Sequence, residues 1–246
     1  MIKATQTKLI SIVSGKGGVG KSVLSANIAY QLSTINKKVL IVDTDIMCPN
    51  QHLIFGCDPI LRLDDWVHRR TTALRTIHSV SANLDLISGS TGNNNFELQD
   101  KISFLDLYQE ILLATDYNYV LFDTAAGISK NLIECCSFSD EIILIITDEP
   151  TSILDAYGLL KILRNYCETK KIKLLLNNII DDEDANIVGN KFNMATEHFL
   201  GTKLNILGMI PYSRAVRQSI LRQELLSIIF PETEVALSIK KISELI

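Results

Sequence analysis

The sequence predicts a doubly wound, mainly parallel α/β sheet of about eight strands with helices on both faces, read as one domain over 1–246. Three observations predict it. Short apolar runs alternate along the chain with segments of helical periodicity, the order that βαβ crossovers produce. Those runs are apolar throughout, as parallel strands covered on both faces are. Three of them stop at Asp43, Asp123 and Asn177, and open α/β sheets collect ligands beyond the carboxyl ends of their strands.

The first element is an apolar β-branched run at 9–13, followed by a glycine-rich turn and a helical pattern over 23–32. Strand, loop and helix in that order form the setting a phosphate-binding loop needs. Residues 15–22 satisfy G-x-x-x-x-G-K-[ST] at every fixed position. Gly15, Lys16, Gly17, Gly18, Val19, Gly20, Lys21, Ser22 and the adjoining Val23 are therefore the candidate phosphate-binding residues. The glycines let successive N–H groups point at phosphate oxygens, and the helix N-terminus adds its positive dipole end. Lys21 is placed to reach the β/γ-phosphates and the Ser22 hydroxyl to hold Mg²⁺. Lys16 is not required by the motif; it reads as a further cation beside the phosphates, as a dimer contact, or as a solvated loop lysine.

The second strand, 38–43, ends in Asp43-Thr44-Asp45. Two carboxylates at a strand's end can orient Mg²⁺-bound or attacking water; a helix cap with a solvated acid also fits them. Residues 60–68 read as a short amphipathic element, and Trp66 with His68-Arg69-Arg70 as a rim tryptophan beside solvated arginines. A short strand follows at 84–87, a polar loop at 88–95 and an amphipathic helix at 104–114. The run 119–123 closes on Asp123, a candidate to anchor the Mg²⁺ shell through water. Gly127, just beyond it, is a candidate switch hinge that lets a backbone N–H approach the γ-phosphate. Strands at 141–147, 172–177 and 204–210 are interleaved with helices at 152–166 and 184–200. Asn177 offers a donor and an acceptor to a base edge, though a turn asparagine fits as well. Arg214, Arg217 and Arg222 on the next helix read as a solvated face or as a basic patch.

Composition bounds the function. The chain has 246 residues, 47% of them hydrophobic, with mean hydropathy +0.19, enough to fill a large core. A net charge of −4 argues against whole-chain electrostatic binding of nucleic acid. Runs of the ~18 apolar residues needed to span a membrane do not occur, and residues 1–8 have no signal-peptide core, so the chain reads as cytoplasmic. Its five cysteines contain no C-x-x-C pair and read as small buried hydrophobes. The four histidines fall in no metal or catalytic spacing.

The segment Lys16-Gly17-Gly18-Val19-Gly20-Lys21-Ser22 resembles the deviant phosphate loop, K-G-G-x-G-K-[ST], of the MinD/ParA ATPases. Residues 123–129 and 148–161, Asp-Thr-Ala-Ala-Gly-Ile-Ser and Asp-Glu-Pro-Thr-Ser-Ile-Leu-Asp-Ala-Tyr-Gly-Leu-Leu-Lys, narrow the likeness to the FlhG (FleN, YlxH) branch, regulators of flagellar number and placement. The resemblance covers about residues 8–230. It implies an ATP- and Mg²⁺-dependent switch with slow turnover that dimerises on ATP. Lys16 would reach the partner's phosphates, Asp45 would match the second acid of switch I, and Lys16, Lys21 and Asp45 would be the catalytic set. Ser22, Asp43, Asp45 and Asp123 would serve the metal. Asn177 would contact adenine, as would the backbone near Pro211 and Tyr212. Asn50 would lie near the dimer interface. Implied partners are flagellar assembly proteins: an FlhF-like GTPase, the switch complex or a transcription regulator.

Four alternatives accompany this reading: placement of the division site, partition of DNA or cargo, a nucleotide-gated scaffold without significant turnover, and an Mrp-type cluster carrier. The last would need a C-x-x-C that the sequence lacks. About seven residues precede the first strand, so the N-terminal extension that many FlhG proteins use on the partner GTPase is not expected. The tail 231–246 carries Val235, Ile239, Ile242 and Ile246 in one stripe, three glutamates against two lysines, and neither Trp nor Phe. It predicts a helix packed on the domain, with weak or no binding to anionic lipid. Location at the inner face of the cell membrane would then be peripheral at most.

Overall fold

The computed structural model of the chain describes residues 7–89, 102–112 and 115–246. Among them, eight strands form one sheet: β1 Lys8–Val13, β2 Val39–Asp43, β3 His78–Ser81, β4 Leu84–Ile87, β5 Tyr119–Asp123, β6 Glu141–Ile146, β7 Ile172–Ile179 and β8 Asn205–Pro211. Their spatial order is β3-β4-β2-β5-β1-β6-β7-β8, parallel except for the antiparallel pair β3 and β4. β1 lies between β5 and β6, so the chain crosses it on passing from one half of the sheet to the other. A crevice opens at such a crossing, beyond the carboxyl ends of the strands.

The helices are α1 Lys21–Thr34, α2 Gln51–Ile54, α3 Leu63–Val67, α4 Phe104–Leu112, α5 Lys130–Phe138, α6 Pro150–Leu163, α7 Asp182–Leu200, α8 Arg214–Arg222, α9 Leu226–Ile229 and α10 Glu234–Glu244. Side chains alternate across each strand and split the core into layers. Ile10 and Ile12 of β1 face α1 (Leu24, Ile28, Leu32) and α10 (Val235, Ile239, Ile242). On the opposite face Val13 and β6 pack on α6 and α7, and β2 and β5 pack on α4 and α5.

The expected strands all form, and β3 forms in addition to them. Its sequence, His-Ser-Val-Ser, is too short and polar for an apolar-run reading, and its exposure alternates as on a half-solvated edge. α1 starts at Lys21, two residues earlier than its apolar pattern, because the motif's lysine and serine form the first turn. The amphipathic helix expected at 104–114 is described over Phe104–Leu112. Of the polar loop expected at 88–95, only Ser88 and Gly89 lie within the described residues. The helix expected from Pro231 begins at Glu234, and its Val235, Ile239 and Ile242 are buried as the stripe predicts. Cys135 and Cys136 are buried among α5's core contacts, and burial pushes both thiols up. Trp66 sits at a rim, its Nε1 donating to Glu110 Oε2 at 2.7 Å.

Candidate phosphate and base site

The loop from Ser14 to Gly20 leaves β1 beneath the N-terminus of α6 and turns into α1. Gly15 passes so close to α6 that a Cβ would lie 2.2 Å from the Asp155 carbonyl carbon, so only glycine fits. Gly20 takes the left-handed conformation, φ 87°, immediately before α1, and a Cβ there would sit 2.5 Å from Asn177 Nδ2. A cavity of about 490 Å³ is bounded by residues 16–23 and by Asp45, Asn50, Leu53 and Ile54 from the segment after β2.

Below its floor lies a buried charged cluster. Lys21, 8% exposed, brings Nζ within 3.3 Å of Asp123 Oδ1 on the fully buried end of β5. The same oxygen accepts the Ser25 hydroxyl at 3.0 Å, and Asp123 Oδ2 accepts Gln51 Nε2 at 2.7 Å. Asp43 stands in register with Asp123 on the neighbouring strand. Its Oδ1 accepts the N–H of Asp45 at 3.2 Å, and its Oδ2 accepts those of Asn50 and Gln51 at 2.8 and 3.0 Å. Burial, followed by the charge of Asp123, pushes the Asp43 carboxyl from 3.8 up to about 8 against the pull of two of those N–H groups. Both Asp43 oxygens are thus engaged in folding the 45–51 segment under the loop. Asp45 lines the cavity, and its Oδ1 accepts the Cys48 N–H at 3.0 Å.

Lys16 is arranged differently. Its Nζ pairs with the Glu149 carboxylate and donates to Thr151 Oγ1 at 2.8 Å, at the start of α6 in the same chain. Gly127, at φ 80°, donates its N–H to Ser14 O at 2.9 Å and so ties the segment after β5 to the phosphate loop. A second cavity, about 750 Å³, adjoins the first through Gly20, Val23 and Ile220. Asn177, Pro211 and Tyr212 line it, with Arg214 and Arg217 at its side and Leu226, Val235 and Ile239 in its apolar wall. Asn177 Nδ2 donates to Val19 O at 2.7 Å, which leaves the amide oxygen and the second N–H of Nδ2 to offer a ligand. Arg222 lies over the Phe230 ring, 5.5 Å from its centroid, and does not line that cavity.

The predicted residues therefore gather at two joined cavities: 16–23 and Asp45 at the first, Asn177, Pro211 and Tyr212 at the second, with Gly15 packed against α6 and Asp43 and Asp123 beneath the floor. Sequence reasoning missed Gln51, which fastens the 45–54 segment to Asp123 and to Ser22 O (3.0 Å from Nε2). A lone glutamine after Asn50 belongs to no motif, and its meaning depends on β5, remote in the chain. Glu149 and Thr151 were missed for the same reason. Among the described residues, no three His, Cys, Asp or Glu side chains gather to hold a metal ion by themselves.

A glycine-rich loop wrapped over a buried lysine, between the central strand of a parallel sheet and its first helix, defines a P-loop nucleotide-binding protein. Residues 10–226 match the CobQ/CobB/MinD/ParA nucleotide binding domain, and the chain belongs to that family as a P-loop ATPase of the MinD/ParA type. It is 26% identical over 238 residues to the antiactivator FleN of Pseudomonas aeruginosa, covering 96% of this chain and 85% of that one. It is 29% identical over 242 residues to the flagellum site-determining protein YlxH of Helicobacter pylori, covering 98% and 82%. Among solved structures it resembles the septum site-determining protein MinD of Pyrococcus horikoshii, complexed with Mg-ADP (TM-score 0.79, 24% identity, 97% of this chain and 95% of that one). It also resembles a ParA family ATPase of Chlorobium tepidum (TM-score 0.80, 24% identity, 98% and 100%). Those two likenesses establish the fold.

Proposed function

We propose that the chain is a slow, Mg²⁺-dependent ATP switch: two copies close face to face on ATP and separate after hydrolysis, and proteins of flagellar assembly read the state. The observation that carries the flagellar output is the alignment with FleN and YlxH over nearly the whole chain. In this reading the backbone N–H groups of 15–22 cradle the phosphates, Lys21 neutralises their charge, and Asp45 orients the attacking water. Lys16 exchanges Glu149 for the phosphates held by the second copy, an isologous contact. Gly127 lets the segment after β5 follow the γ-phosphate. Asn177 and the backbone at Pro211 and Tyr212 hold the base, the Asn177 oxygen accepting from an exocyclic amino group.

The Asp123 carboxylate and the hydroxyl of Ser22, which lines the phosphate cavity, fit a magnesium ion. They are hard oxygens, and magnesium is usually held by one or two carboxylates, water and substrate phosphate. Ser22 and Asp123 would hold its shell, with Asp43 organising the loop beside them. Bound Mg²⁺ would supply positive charge to offset that of the phosphates.

The partners in this reading follow the relatives: an FlhF-like GTPase, the flagellar switch complex or a transcription regulator, rather than nucleic acid. No helix among the described residues is long and apolar enough to cross a membrane, and any membrane contact would be peripheral. The test joins two measurements. Light scattering of Asp45→Ala, a variant expected to retain ATP, should report a dimer with Mg²⁺-ATP and a monomer with ADP. Deleting the coding sequence in the native host should change flagellar number or position; flagella unchanged in both respects would remove the flagellar reading.

A further inference from the structure

Two buried acceptors at the site have no hydrogen-bond partner among the described residues: Gln51 Oε1 and Asn50 Oδ1. Gln51 is fully buried, and Asn50 lines the phosphate cavity. A buried acceptor left unpaired is costly, and native proteins rarely tolerate one without a water or an ion to fill it. The amide cannot resolve this by flipping. Its Nε2 donates to Asp123 Oδ2 at 2.7 Å and to Ser22 O at 3.0 Å, and both are acceptors. A flipped amide would set its oxygen against a carboxylate and a carbonyl and lose both bonds. The chain therefore holds Nε2 toward Asp123 and Ser22 O, and Oε1 meets no donor among the described residues.

The backbone adds a second constraint. Gln51 N donates to Asp43 Oδ2 at 3.0 Å, so one residue is bonded to the terminal acids of two adjacent strands and to the backbone of the loop's serine. It is also the first residue of α2, whose Leu53 and Ile54 wall the phosphate cavity. A shift of α2 must therefore move the amide that orients Asp123.

We propose that Gln51 is a positioning residue for the divalent cation: its Nε2 orients the Asp123 carboxylate, and its Oε1 accepts a hydrogen bond from a water of the hydrated ion. The ion's shell is thereby coupled to the 45–54 segment. The proposal rests on the Mg²⁺-ATP reading of the site and adds to it a residue that the loop motif does not contain.

The test is the ratio of nucleotide dissociation constants in EDTA and in MgCl₂, measured with a fluorescent non-hydrolysable ATP analogue. Gln51→Met keeps the length and removes both polar atoms. It should lower the magnesium-dependent part of the affinity by about tenfold, the lower end of what outer-shell partners contribute, and leave the affinity in EDTA within about twofold. Gln51→Glu keeps an acceptor but sets a carboxylate oxygen against Asp123 Oδ2 and Ser22 O in place of the orienting donor, so its ratio should also fall below the wild-type ratio. Circular dichroism would show whether each variant is folded, and either folded variant suffices alone. Ratios equal to wild type in the folded variants would overturn the proposal, as would equal losses in EDTA and in MgCl₂. Failure of the underlying reading is distinguishable, because the wild-type protein itself would then bind no analogue or show no magnesium effect.

Discussion

Two lysines of one loop, five positions apart, have opposite surroundings. Lys21 is 8% exposed and faces a fully buried aspartate, with a hydroxyl and an amide completing that acid's shell. Lys16 is 34% exposed and faces a glutamate that is 58% exposed. The floor of the site is a cross-linked polar cluster in a low-dielectric setting, where removing one member leaves another charge uncompensated. The rim is a solvent-screened pair whose partners can be exchanged at little cost. The floor is thus cross-linked within the buried interior, whereas the rim holds its cation in a weak, solvent-screened pair.

Lys21→Ala should disrupt the floor and have the largest effect. It strips the Asp123 carboxylate of its cation, and breaking a buried pair costs roughly 3–5 kcal/mol of stability. Tight ATP binding should vanish with it. Thermal unfolding and isothermal titration with a non-hydrolysable analogue check both outcomes; unchanged affinity would mean that this loop is not the site.

The floor should also respond to pH. Burial and the nearby Asp123 raise Asp43 from 3.8 to about 8. The folded state then binds more protons at this group than the unfolded state across that interval. Its contribution to stability is therefore fully present below 3.8, declines as pH rises, and is gone above about 8. Denaturant unfolding of the protein without added nucleotide should show this slope, and Asp43→Asn should flatten it. A slope unchanged in that variant would assign it elsewhere.

Lys16→Ala probes the rim in the same way. An exposed pair contributes about 0–1 kcal/mol, so the melting temperature should barely move. ATP should still bind the monomer, while ATP-dependent dimerisation, measured by light scattering in the Asp45→Ala background, should be lost. Equal dimerisation with and without Lys16 would return this residue to the role of a solvated loop lysine.

Local and long-range bonds also separate what the sequence made legible from what it did not. The apolar runs, the loop motif and the strand-end acids are local patterns, so the sheet, residues 15–23, Asp43, Asp45 and Asp123 could be read directly. β3 escaped because an antiparallel edge strand needs no apolar run. α5 escaped too, although Leu132, Cys135 and Cys136 supply its buried face. The bonds from Gln51 to Asp123 and from Asn177 to Val19 join segments far apart in the chain, and only the fold brings them together. Asn178, at φ 62° where the β7–β8 register shifts, adds a bulge beside Asn177 that no spacing announces.

The smallest effect is expected at Glu149, and its direction decides what the rim is for. If Glu149 and the phosphates of a second copy compete for Lys16, weakening Glu149 should favour the dimer. Glu149→Gln removes the charge and keeps the side chain's length and its ability to accept a hydrogen bond, and Thr151 Oγ1 still accepts from Lys16 at 2.8 Å. Folding stability should stay within about 0.5 kcal/mol of wild type, as for most surface substitutions. An isologous dimer releases two such pairs, each worth at most about 1 kcal/mol, so the dimer's dissociation constant with ATP should fall by no more than about thirtyfold. The gain should shrink at high salt, because about 1 M salt cuts the screening length to roughly 3 Å. Chemical denaturation measures the stability, and sedimentation of Glu149→Gln in the Asp45→Ala background, at low and high salt, measures the dimer. A weaker dimer at low salt would mean that Glu149 supports the closed pair, and that the cis contact to Lys16 belongs to the active arrangement rather than opposing it.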